Sequence, residues 1–195
     1  MRSITKAALI GAITTLGACA TAPREETPAS FRRAGALSLC TGMDVSNAPA
    51  VNAHSQVIGY QPYVTVAGVT LARAPVDACI SSGFGPRRGG AGGFHEGVDL
   101  YTRTPRAIIA GGDGIVEQAG SLRGYGRTVL VRHNARVATR YAHLSSYARG
   151  LKPGDLVRAG DLIGMTGDSG NATAVHLHYE ILVDGRPQDP IALGN

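Results

Sequence analysis

Two imidazoles one residue apart, His176 and His178, stand in the stretch HLHYEIL at residues 176–182. Side chains on a strand alternate faces with period two, so His176, His178 and Glu180 share one face and Leu177, Tyr179 and Ile181 the other. The second row has the make-up of a core face. The first sets two rings side by side, which is unfavourable if both are charged. It is reasonable if one ring holds a metal and the other faces a substrate.

A second cluster is FHEGVDL, residues 94–100, with His95 and Asp99 four apart. That spacing gives one face on a helix and one face on a strand. Gly97 and the preceding RRGGAGG disfavour a helix, so a strand or loop is expected. His-Glu also begins the HExxH motif of helical zinc proteases, but here the fifth residue is Asp and a strand would point Glu96 away from His95. His95, Asp99 and one member of the 176/178 pair make two imidazoles and a carboxylate. This donor set suits Zn2+ with a fourth position left for water, the arrangement of a catalytic rather than a structural site. A bound zinc ion lowers the pKa of water to about 7 and polarises a carbonyl. A further candidate is His143 in RYAHLSS, where strand alternation puts Thr139, Tyr141 and His143 on one face. Taken alone it reads more readily as an ordinary structural histidine than as a catalytic one.

The elements that must position these groups are short and β-like. AIIA, GIVEQA, TVLVRH, RVATRYAHL, DLIGMTG and HLHYEILV recur from about Asp77 onward, and YVTVAGVTLA at 63–72 reads as a strand or hairpin arm. Asp113-Gly114, Asp184-Gly185 and His133–Arg136 are expected hairpin turns. Phe31–Cys40 could form a short helix, and residues 41–56 a loop. No helical stripe of useful length appears, and 27 glycines with no tryptophan favour a turn-rich protein. The expected fold class is all-β, an antiparallel sheet that packs or rolls on itself.

MRSITK followed by AALIGAITTLGA has the charged and apolar regions of a secretory signal, too short to span a bilayer. Leu16-Gly17-Ala18-Cys19 resembles the lipobox of bacterial lipoproteins, which implies cleavage after residue 18 and lipidation of Cys19; ordinary secretion is the alternative. Residues 19–30 then read as a tether, 31–76 as an extension with a regulatory candidate role, and 77–195 as the main domain. The net charge is +5, of which Arg2 and Lys6 supply two, so the processed chain carries +3. That suits an anionic envelope polymer, and the absence of a basic run argues against nucleic acid. Only Cys40 and Cys79 then remain. In an oxidising compartment they would close a loop of about 38 residues; two unpaired buried thiols are the alternative.

Ser82-Gly83-Phe84-Gly85-Pro86-Arg87, His95-Glu96-Gly97-Val98-Asp99, Tyr141-Ala142-His143-Leu144 and His176-Leu177-His178-Tyr179-Glu180 occur in that order. With the spacers AGGDGIVEQAG, GYGRTVLVRH, LKPGDLVRAGDLIGMTGDSG and DGRPQDP, residues 77–192 resemble the lysostaphin/LytM-type zinc metallopeptidases. The resemblance implies a β-rich fold with a groove across an antiparallel sheet. It implies that His95, Asp99 and His178 bind zinc, and that His143 and His176 flank the ion, helping to activate water and stabilise the oxyanion. The implied substrate is the peptide part of peptidoglycan: some relatives cut pentaglycine bridges and others D-alanyl–diaminopimelate crosslinks, and Ala20 after Cys19, which by analogy favours an outer-membrane lipoprotein facing the periplasm, points to the second.

Two segments depart from the family pattern. Asn171-Ala172-Thr173-Ala174-Val175 replaces a Gly-Pro-like step before His176, and Tyr101–Arg106 lacks the usual small-residue turn and carries Arg103 and Arg106. The first bears on substrate preference rather than on the metal set; the two arginines face either anionic wall polymer or, as in an ordinary solvated loop, water. Three functions follow: an active endopeptidase; a non-enzymatic module of the same fold that activates a cell-wall amidase or meets another division partner; and a crosslink-binding structural lipoprotein. Because all five site positions are filled, the enzyme is favoured. Asn47, Asn52 and His54 lie in a loop that is a candidate plug for the groove.

Overall fold

The structure is a computed structural model that describes residues 35–87 and 93–194. The signal segment, Cys19 and the tether lie outside the described residues. Among those described there are fifteen strands and no helix. The short helix expected over 31–40 is absent from its described part: Leu39 instead bridges Ile80 in parallel, and the Leu39 and Cys40 amides join backbone ladders.

The hydrophobic alternation builds one large antiparallel sheet. Its strands are β3 (Cys79–Ser82), β6 (Val98–Tyr101), β8 (Gly114–Leu122), β9 (Gly126–Arg132), β10 (Val137–Leu144), β12 (Leu156–Val157) and β14 (His176–Val183), in the order β12-β8-β9-β10-β14-β6-β3; β15 (Arg186–Gln188) also pairs with β14. A three-stranded sheet joins β11 (Ser146–Tyr147), β13 (Leu162–Met165) and β7 (Ala107–Ile109). One face of the large sheet is the core. Ile80, Val98, Leu100, Leu177, Tyr179, Ile181, Tyr141, Val129 and Val131 are all buried there, with Ile108 and Ile163 of the smaller sheet in the same cluster. The row Leu177, Tyr179, Ile181 faces inward, so His176, His178 and Glu180 occupy the other face.

The hairpin of β1 (Tyr63–Val66) and β2 (Val69–Ala72) turns through Ala67 and Gly68, both at positive φ. Its Val64 and Leu71 enter the same core, as do Leu37, Ala74 and Val76. Arg73 is buried, and donates to the Pro190 and Ile191 carbonyls at 2.9 and 2.8 Å and to Leu193 O at 2.6 Å. Burying a guanidinium is costly, and these three carbonyls offset that cost at its two terminal nitrogens. The two tyrosine hydroxyls in the core are satisfied likewise: Tyr179 donates to Ala72 O at 2.9 Å and Tyr141 accepts from Gly111 N at 2.7 Å.

Of the three expected turns, Asp184-Gly185 and the 133–136 segment do join paired neighbours, β14 to β15 and β9 to β10. Asp113-Gly114 does not. It carries the chain from β7 to β8, which belong to different sheets. Gly114 is needed there because a Cβ would meet Arg132 O at 2.6 Å.

Cys40 and Cys79 are joined in a disulfide across a separation of 39 residues. In the chain-entropy view a bridge over that span stabilises by about 3–4 kcal/mol. The double variant Cys40→Ser/Cys79→Ser is therefore expected to lose about that much unfolding free energy in urea titrations, and an unchanged midpoint would contradict the assignment.

Candidate metal centre

The register of two strands makes the site. In the β6–β14 ladder His178 stands directly opposite Asp99, and His176 opposite Tyr101. His95 ends a separate short strand, β5 (Phe94–His95), which pairs with β4 (Gly85–Pro86). The chain then bends through Glu96 and Gly97 into β6. Gly97 must be glycine: a Cβ there would lie 2.4 Å from Tyr179 O and 3.0 Å from His178 Cε1. That bend brings His95 onto the face that carries Asp99.

His95 Nε2, Asp99 Oδ1 and His178 Nδ1 converge, with separations of 3.1 Å, 2.9 Å and 3.1 Å around the triangle. The opposite nitrogen of each ring is already committed. His95 Nδ1–H donates to Gly83 O at 2.6 Å, and His178 Nε2–H donates to Glu180 Oε1 at 3.1 Å. In neutral rings this leaves two lone pairs and a carboxylate oxygen aimed at one point. Only a cation relieves that arrangement, either a proton or a metal ion. Tetrahedral zinc with bonds of ~2.0–2.1 Å sets its ligand atoms about 3.3 Å apart. The triangle reaches that by opening a few tenths of an ångström, so the residues fit the ion.

The electrostatics express the same demand. Burial alone would lower the His178 imidazole, but its hydrogen bonds to Asp99 and Glu180 outweigh burial and push it up to about 9. Burial would raise the Asp99 carboxyl, yet the His178 and His95 hydrogen bonds hold it well below the usual carboxylate range. Glu180, 1% exposed, accepts from Arg140 Nε at 2.8 Å and stands opposite Arg140 in the β10–β14 register. Tyr125, at the tip of the β8–β9 hairpin, lies with its ring 5.6 Å from His178 and beneath the Arg140 guanidinium at 5.0 Å. Its hydroxyl donates to Glu96 at 2.8 Å. Glu96 is thus engaged by the tyrosine whose ring lies beside His178.

Two further imidazoles border the triangle. The His143 and His176 rings are 4.8 Å apart, and His143 is 5.9 Å from His178. His176 Nδ1–H donates to Ala174 O at 2.7 Å, which leaves Nε2 3.6 Å from Asp99 Oδ1. His143 Nδ1–H donates to Ser169 O at 2.7 Å. Burial, together with the neighbouring His176 and His178 and against the Ser169 hydrogen bond, lowers His143 to about 4, so its Nε2 carries a lone pair at neutral pH.

His143 corrects the alternation expected for RYAHLSS. Thr139 and Tyr141 do point into the core, and strict alternation would send His143 after them. The β9–β10 pairing slips between Tyr141 and Leu144, and His143 sits at φ 62°. This bulge turns the ring onto the groove face beside His176.

The remaining expectations resolve as follows. Asn47 packs its backbone against Gly83 and its amide near Gly85, with Nδ2 buried and lacking a hydrogen-bond partner. Asn52 folds back on its own turn, accepting from the His54 and Gln56 amides. Arg106 pairs with Asp77 at 3.0 Å on the surface, and Arg103 is exposed. Glu180, Arg140, Tyr125 and the Gly83 and Ser169 carbonyls had no assigned role in the sequence. Glu180 could have been found by its i+2 spacing from His178; the others depend on register and loop contacts.

The model of peptidase family M23 matches residues 93–190. The chain is 37% identical over 100 residues to the DD-carboxypeptidase/endopeptidase Mpg of Neisseria meningitidis, covering 51% of this chain and 23% of that protein. It is 38% identical over 123 residues to the peptidoglycan DD-endopeptidase ShyC of Vibrio cholerae, covering 60% and 28%. Among solved structures, a zinc-containing peptidase from Vibrio cholerae superposes with a TM-score of 0.57 at 35% identity, covering 62% of this chain and 39% of that one. The match thus spans about a quarter of the length of these two curated relatives.

Two outcomes test the centre. Glu180→Gln keeps the size but loses the charge that orients His178, and is expected to weaken zinc about 10–100-fold in chelator competition. Zinc uptake at pH 7.5 should displace the Nδ1 proton of His178. Because that imidazole is raised to about 9, the release should approach one proton near neutrality and vanish as pH climbs past 9. Calorimetry in buffers of different ionisation enthalpy measures it.

Proposed function

The chain belongs to peptidase family M23, and on that premise we propose that it is a zinc-dependent endopeptidase that hydrolyses peptide crosslinks of bacterial peptidoglycan. The single observation that carries the reading is the convergence of His95 Nε2, Asp99 Oδ1 and His178 Nδ1 with their opposite ring nitrogens already committed. These three atoms would hold the ion. When bound, zinc supplies a Lewis acid that makes water acidic near pH 7 and polarises a scissile carbonyl.

The chain's own groups supply the proton handling. His143, kept neutral with its Nδ1–H on Ser169, offers Nε2 as acceptor for the proton of the attacking water. The water oxygen adds to the carbonyl carbon, the C–N bond breaks, and the proton passes to the departing amine. His176 lies beside His143 with Nε2 3.6 Å from Asp99 Oδ1 and helps to position the water and the tetrahedral oxyanion. Glu180 and Arg140 keep His178 in the tautomer that presents Nδ1.

A D-alanyl–diaminopimelate crosslink is the substrate this reading favours, supported by the resemblance to DD-endopeptidases. The leader and Cys19 support an outer-membrane lipoprotein facing the periplasm. In the amidase-activating alternative the metal set has no task, and here it is complete.

His178→Ala is expected to lose both zinc and hydrolysis. His176→Ala should keep most of the zinc and lose at least about a hundredfold in kcat. Metal analysis and release of new peptide ends from purified sacculi, identified by mass spectrometry, read both. Normal cleavage by His176→Ala, or zinc bound by the native chain with no new peptide ends, would overturn the proposal.

A further inference from the structure

One charge at the mouth of the site has no task in that reaction. Arg87 follows β4 directly, with its amide bonded to Gly93 O at 3.1 Å. Its side chain is 44% exposed, and Nη2 lies 3.6 Å from Asp99 Oδ2. That is the oxygen not shared with His95 and His178, which both meet Oδ1. The other charges nearby are matched internally by hydrogen bonds: Glu180 with His178 and Arg140, and Glu96 with the Tyr125 hydroxyl. Arg87 has only the longer contact to Asp99 among the described residues.

A cation against a ligand carboxylate works against a dication on the same group. Once an ion sits on Oδ1 the carboxylate is largely neutralised, and Arg87 is left half in water beside a positive centre. What such a guanidinium takes is an anion. Its planar fork matches a carboxylate in two parallel hydrogen bonds. The anion must lie within a side chain's reach of the reacting carbonyl, because Arg87 borders the carboxylate that would hold the ion.

Resting on the peptidase reading, we propose that Arg87 is a specificity-determining residue that binds a free carboxylate of the substrate, no more than about one residue from the scissile amide. A peptide whose departing amine sits on a carbon that also bears a carboxylate has this chemistry. Converting that carboxylate to its primary amide removes the charge and one acceptor, and should remove the recognition.

The test compares two crosslinked peptides, identical except that this carboxylate is free in one and a primary amide in the other. The full chain loaded with zinc is expected to favour the free acid about 10–100-fold in kcat/KM, mainly through KM. Arg87→Gln should cleave both peptides at the rate of the amide, with unchanged zinc content, and Arg87→Lys should restore part of the preference. A preference that persists in Arg87→Gln overturns the proposal. So does an equal loss on both peptides together with lost zinc, which would make Arg87 a positioning residue for Asp99. If the native chain cleaves neither peptide, the peptidase reading fails separately. Calorimetric binding of the same two peptides to zinc-loaded native and Arg87→Gln chains then decides: preference lost in the variant supports the role of Arg87, and preference absent from the native chain or kept in the variant overturns it.

Discussion

The whole site depends on one electrostatic constraint. Two imidazole lone pairs and a carboxylate oxygen are held within about 3 Å of one another, and this is sustainable only around positive charge. Several neighbours serve that convergence. The Gly83 carbonyl and the Glu180 carboxylate occupy the far nitrogens of the two rings. Arg140 compensates Glu180, which would otherwise be a buried anion against a single imidazole. The backbone contributes through Gly97, whose missing side chain lets β5 and β6 close onto β14.

The same sheet provides two kinds of position. The three candidate ligands come from regular ladder or a tight bend beside it. The two imidazoles proposed to handle protons come from irregular places: His143 from a bulge with positive φ, and His176 from the first residue of β14, braced by a loop carbonyl. Irregular backbone is where a strand protein can aim a side chain off the alternating pattern. Ser169 links the loop before β14 to the β9–β10 hairpin. Its carbonyl accepts from His143, while its hydroxyl donates to Leu144 O and accepts from Arg127 N.

Much of this was legible in the residues because period-two patterning is local. HLHYEIL announces both its core row and its polar row, and the apolar runs after Asp77 mark the strands of an all-β fold. The unreadable parts are those set by partners far away in the chain. His143 looked like a neighbour of Tyr141 because nothing in RYAHLSS reveals a slipped register. Asp113-Gly114 has the composition of a hairpin turn and instead changes sheets, which depends on what β7 and β8 each pair with. Arg140 became part of the site only through its register with Glu180, 40 residues on. Before 77, YVTVAGVTLA is legible as the β1–β2 hairpin that carries Val64 and Leu71 into the core, whereas Leu37 enters the core from a segment expected to be helical.

His178 sits in the interior of β14, laddered to β10 on one side and to β6 on the other. Amide exchange at such a place requires both ladders to part, so local opening there approaches the cost of global unfolding. The bulge at His143 and the 168–175 loop break the regular ladder and are held instead by bonds to Tyr125, Gly124, Leu144 and Arg127. The candidate cradle can therefore open only with the sheet itself, whereas the rim is held by contacts from one loop to the next.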